Sequence, residues 1–172
     1  VNRAVVQRLR AELAIDLAAF EGRGRELEQV HPEPSDAGAC ALAAVTLHHA
    51  AGSIESAPAR ISRHVEGEAP AGGHWHQELL EAAALDIPGI RPALLSRESL
   101  VALRQLLGFR QVFRHADAVT LDAGRLEALR SKLLRAVPGV LEDFVAADRW
   151  LAGVAAGLEP WLPYRACPPS WA

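Results

Sequence analysis

The chain has 172 residues, is 50% hydrophobic but only 5% aromatic, and carries a net charge of −3. That size and apolar share suit a single aliphatic core. The acidic balance excludes a uniformly basic, nucleic-acid-coating surface, so a polyanion would have to meet a local patch. Two cysteines, Cys40 and Cys167, are too few for a disulfide framework. No unbroken apolar run reaches the roughly 18 residues of a spanning helix, and the first ten residues lack a signal-peptide core. A reduced, cytoplasmic setting without membrane contact is therefore expected.

In chain order, Val6, Leu9, Leu13, Leu17 and Phe20 recur at spacings of three and four, which predicts a helix over 3–30 with one apolar stripe. Gly22 and Gly24 weaken its far end. His31-Pro32-Glu33-Pro34 breaks it, because proline cannot continue a helix. Ser35 or Asp36 then caps an alanine-rich helix over 37–66, which Pro58 should kink or split. Residues 68–73 read as a loop. A short helix from Trp75 to Leu85 is stopped by Pro88-Gly89, and Arg91, preceding Pro92, is extended. Ser96 caps a fourth helix over 97–116. Asp122 opens a fifth over 122–157, with a kink near Pro138-Gly139. No window alternates as a strand does. The fold class is all-α: an antiparallel bundle of about five helices, with one helical domain over 1–158 and an irregular Pro- and aromatic-rich tail over 159–172.

The fourth helix carries the candidate chemistry. On a wheel of about 100° per residue, Leu100, Leu103, Leu106, Leu107, Phe109 and Phe113 fill one face. Arg110 and Arg114 fall within that apolar arc. A charge buried there without a partner would cost several kcal/mol, so an internal carboxylate, a cleft or a second subunit has to receive it. Asp117, about 20° from Arg110 on the wheel, is one carboxylate placed to do so. Residues 91–115 hold five arginines (91, 97, 104, 110, 114) against Glu98 alone, a local charge of +4 with histidine neutral. That is the patch a phosphate chain requires. Arginine offers a planar fork of donors to phosphate, and histidine moves protons near neutral pH. His115 lies about 140° around an ideal helix from Arg110. A site using both residues would need a bend at the helix end or two copies meeting at a two-fold axis.

The pair His74 and His76, with His48, His49 and His64, invites a metal reading. No HExxH, CxxC or carboxylate cluster supports it, and ligands two apart on a helix diverge. No metal and no cofactor is expected. Cys40 reads as a small core residue.

The run Gly73-His74-Trp75-His76, Arg91-Pro92, Leu107-Gly108-Phe109-Arg110, Arg114-His115 and Val119-Thr120-Leu121-Asp122 resembles the HepT-like ribonuclease toxins of the HEPN superfamily, over residues 40–155. Their pattern is R-x4-H-x-Y with a polar residue after the arginine. Arg110, Gln111 and His115 match it, and Asp117 stands at the tyrosine position. The resemblance implies a homodimer whose two Arg–His pairs line one cleft. It implies metal-independent endoribonuclease action within a toxin–antitoxin pair, with a minimal nucleotidyltransferase as antitoxin. In the family that antitoxin adds AMP to the motif tyrosine; Asp117 has no phenol to accept it, and Tyr164, the only tyrosine, sits in the tail.

On this reading Arg110 and His115 are catalytic. Gln111, Arg114 and Arg104 contact RNA phosphates, and Asp117 modulates the site by orienting His115 or by closing on Arg110. The products would be 2′,3′-cyclic phosphate ends. The alternative is a catalytically inactive HEPN-type module that docks a nucleotidyltransferase partner or RNA.

Overall fold

The structure is a computed structural model that describes residues 1–68, 75–114 and 121–158. Among these it has five α-helices and no strand: α1 (Arg3–Gln29), α2 (Ala37–Ile61), α3 (Trp75–Ala83), α4 (Arg97–Arg114) and α5 (Ala123–Gly157). The all-α bundle expected from periodicity is what forms.

α1 starts where the Asn2 side chain accepts a hydrogen bond from the Val5 N–H, and buries Val6, Leu9, Leu13, Phe20 and Leu27. Its two glycines do not end it. Gly24 is buried against Val137 of α5, where an added Cβ would lie 3.4 Å from both methyls, at the edge of van der Waals contact. Asp36 caps α2 by accepting from the Ala39 N–H, and Asp122 caps α5 by accepting from the Arg125 N–H. Ser96 does the same for α4, and Asp143 on α5 accepts from both its N–H and its hydroxyl.

Long-range pairs fix the helix directions. Arg60, at the end of α2, meets Glu12 and Asp16 of α1. Arg10 bonds Asp148 with two nitrogens, while Arg130 reaches the Leu27 and Glu28 carbonyls at the other end of α1. α1 is therefore antiparallel to both α2 and α5. Phe20, Leu27, Leu47, Ile54, Leu80, Leu103, Leu106, Leu133 and Leu151 lie among the core side chains.

α2 lies at the centre, packed by all four other helices. With the turn after it, Ala37–Glu66 has the length and average apolarity of a membrane-crossing segment, although no unbroken apolar run is there. Its alanines supply that apolarity, and Ala43, Ala44, Ala50, Ala51 and Ala57 are covered by neighbouring helices. Pro58 does not split α2. The helix runs on to Ile61 and changes to a π-helical turn over Ser62–Glu66, ending at Gly67 with φ +96°. Proline removes one donor, and the backbone adjusts a turn later instead of breaking. α5 likewise continues through Pro138.

The α3–α4 connection is a tight turn at Ile87-Pro88-Gly89-Ile90, with the Ile90 N–H donating to the Ile87 carbonyl and Gly89 at φ +78°. Proline then glycine suits the two central positions of a type II turn. The turn delivers Arg91 into the interior.

Candidate functional site

The helix-four wheel places Arg110 within an apolar face, and the side chain is 19% exposed. Its partner is not on the same helix. Glu55 of α2, 7% exposed, receives the Arg110 guanidinium. Glu55 is the one Asp, Glu, Lys or Arg between Asp36 and Arg60. It sits among the buried side chains of Ala51, Ile54 and Pro58. A carboxylate held there needs a counter-charge, because removing either partner of a buried pair typically costs about 3–5 kcal/mol. Antiparallel packing of α2 against α4 brings the two residues together across 55 positions of sequence.

A second group reaches the same carboxylate. Nδ1 of His76, on α3, lies 2.8 Å from Glu55 Oε1. The approach is out of line for a ring N–H donor, so Nδ1 has a charge neighbour without a formed hydrogen bond. Burial first, and the Arg114 charge second, draw the His76 imidazole below its usual range. Burial, with Arg114 behind it, also lowers Arg110, yet a guanidinium remains charged in proteins. The Arg110 Nε is buried and meets no acceptor among the described residues.

These side chains border a cavity of about 140 Å³ lined by Glu55, His76, Gln77, Leu107, Arg110, Gln111 and Arg114. One edge of the region is His48 of α2, whose ring centroid is 5.6 Å from that of Phe113. Burial, then the Arg110 charge, hold His48 below its ordinary value.

The sequence-expected residues distribute unevenly. Arg110, Gln111 and Arg114 share the cavity. Arg114 is exposed, not embedded in the apolar arc, because the helix face turns outward in its last turn. Arg104 lies half-exposed, 3.3 Å from Glu81 of α3. Arg91 belongs to no surface patch: its side chain is 0% exposed, bonded to Glu66 and to the Ala82, Leu85 and Pro92 carbonyls. The +4 segment is thus three arginines held by carboxylates, with Arg97 and Arg114 exposed beside them. His115 and Asp117 lie outside the described residues, as do residues 69–74, His74 among them, and 159–172. The carboxylate that the described residues bring to Arg110 is Glu55.

Sequence reasoning missed Glu55 and Gln77 and weighed His76 only as a metal ligand. The signal for Glu55 was available: a solitary charge in the middle of an alanine-rich helix has to find a buried partner.

The sequence matches the family of HepT-like proteins over residues 42–150, more than half of the chain and every residue lining the cavity. No curated protein matches the chain, and no solved structure does.

Proposed function

Because the chain belongs to the HepT-like protein family, we propose that it is the toxin component of a toxin–antitoxin pair, a metal-independent endoribonuclease. Arg110 binds the scissile phosphate and His115 moves the proton. The observation that carries this reading is the Arg110 cavity. It holds a charged arginine with a second arginine beside it. Two polar amides, Gln77 and Gln111, complete a lining suited to a tetrahedral anion. Arg110 and Arg114 stabilise charge that grows on the phosphate oxygens. Proton removal from the ribose 2′-OH lets it attack phosphorus, so cyclic phosphate ends form and DNA, lacking that hydroxyl, resists. Arg104 steers more distant phosphates.

The family implies a homodimer with both sites in one cleft and a minimal nucleotidyltransferase as antitoxin. Exposed Val112 supports a partner surface at the end of α4, as does a mostly apolar cavity of about 300 Å³ that Phe109, Val112, Leu121 and Leu126 line together with Asp122 and Arg125. No membrane role enters. Because Asp117 replaces the motif tyrosine, the antitoxin acts here by covering the cleft.

A second reading has its own observation. Glu55 already occupies Arg110, as in a catalytically inactive module that docks RNA or a nucleotidyltransferase without cutting. Controlled expression in a bacterial host separates the two. The nuclease reading expects the wild type to arrest growth, His115→Ala to relieve the arrest, and both proteins to accumulate equally. Equal growth with both proteins folded contradicts it and favours the docking module.

A further inference from the structure

The cavity contains a histidine that the reading above leaves unused. His76 contributes to the same lining as Arg110, Gln111 and Arg114. Its Nδ1 is shut off from solvent beside Glu55, while 25% of the side chain stays exposed. The open part of the ring is therefore the side away from Nδ1, where Nε2 lies. Trp75 packs on the ring, with centroids 3.7 Å apart and planes 30° apart, and so restricts its rotation. An imidazole with Nδ1 set beside a carboxylate and the rest of its ring open to an arginine-lined cavity is suited to proton transfer.

We propose that His76 is a second acid–base residue of this cavity, acting on an RNA phosphodiester within the same protomer as Arg110, with Glu55 as its positioning residue. The proposal rests on the ribonuclease reading. With the phosphate on Arg110 and Arg114, Nε2 of neutral His76 takes the 2′-OH proton as the O2′–P bond forms and the P–O5′ bond breaks. The departing O5′ takes its proton from His115, the proton mover of the reading above, and the His76 imidazolium returns its own through solvent to the neutral His115. The charged groups facing His76 are Glu55 from α2 and Arg110 and Arg114 from α4. Burial and the Arg114 charge favour the neutral ring, the base form, and the Glu55 carboxylate, 2.8 Å from Nδ1, is the opposite charge that sits beside it. A ring that served only to offset the buried Glu55 charge would affect stability and leave the pH profile of cleavage alone.

The test is cleavage of a short single-stranded RNA in EDTA, from about pH 5 to about pH 9, by the full chain and its His76→Asn and Glu55→Gln variants. The expected result for His76→Asn is a kcat lower by about 10²–10⁴-fold, with KM little changed and the acid limb of the profile gone. Glu55→Gln keeps that limb and moves it to lower pH, because a carboxylate that favoured the imidazolium has been removed. If His76→Asn does not fold, the direction of the Glu55→Gln shift decides. A cleaving wild type alongside a His76→Asn protein of equal kcat and identical profile overturns the role of His76 and leaves the ribonuclease reading standing. A folded wild type that cleaves no RNA removes that reading and the role of His76 with it.

Discussion

Arg91 and Arg110 are both arginines taken largely out of water, and they are held in opposite ways. Arg91 spends all three of its nitrogens on Glu66 and three backbone carbonyls, those of Ala82 in the last turn of α3, Leu85 just beyond it, and Pro92. Arg130 repeats the pattern at the end of α1, with the Leu27 and Glu28 carbonyls and Glu127. Both close helix C-termini, where carbonyls lack partners and a cation is favoured. Arg110 instead has one carboxylate, an unmet Nε and a cavity alongside. A fully engaged guanidinium builds the fold; a partly engaged one at a cavity is available to a ligand. Counting donors, rather than burial, distinguishes the two.

The largest expected effect is on the structural side. Arg91→Met should cost about 3–5 kcal/mol in denaturant unfolding, because it strands Glu66 and takes a donor from the Leu85 carbonyl. A loss below about 1 kcal/mol would break the comparison. On the functional side, Arg110→Gln should lower kcat for RNA cleavage by about 10²–10³-fold. Its stability cost should be largely recovered in the Arg110→Gln/Glu55→Gln double variant, since replacing both members of a buried pair is often near neutral. A double variant as inactive as Arg110→Gln, and close to wild type in stability, would sharpen the contrast with Arg91.

A smaller effect concerns pH. His48 sits below its ordinary value in the folded protein, through burial and then the Arg110 charge. The unfolded chain therefore binds more protons than the native one below about pH 6.5. The stability linked to His48 is complete above that value and declines as the pH falls beneath it. Urea midpoints measured from about pH 7 down to about pH 5 should decline less steeply in His48→Gln than in wild type; an equal decline would exclude the linkage. The smallest effect belongs to Arg104. With Arg104 and Glu81 both half-exposed, Arg104→Gln should change stability by less than about 1 kcal/mol. If Arg104 touches RNA phosphate, the slope of log affinity against log salt should become shallower by about one.

The parts of the fold legible in the sequence are those set by local chemistry. Asp36 and Asp122 cap the helices they precede, Pro32 and Pro34 follow the end of α1, and the 3–4 spacing of Val6, Leu9, Leu13 and Phe20 marks its buried face. On α4 the same periodicity finds Leu103, Leu106 and Leu107 and shows that Arg110 needs a partner. Which partner depends on how α2 packs against α4, and no local pattern encodes that. The wheel favoured Asp117 because it searches one helix only. Arg91 was grouped with surface charges because a turn, not a helix, carries it inward. Pro58 shows the limit of local rules from the other side: central packing of α2 carries the helix through it.

The central claim is that Arg110 is held for a phosphate and not for the fold. Its most direct test is cleavage of a defined RNA in EDTA by purified wild type, Arg110→Gln and His115→Ala, with the product ends identified. The account predicts cleavage by wild type, 2′,3′-cyclic phosphate termini, and loss of both in the two variants while their circular dichroism stays native. Cleavage that persists in Arg110→Gln, or a folded wild type that leaves RNA intact, would contradict it.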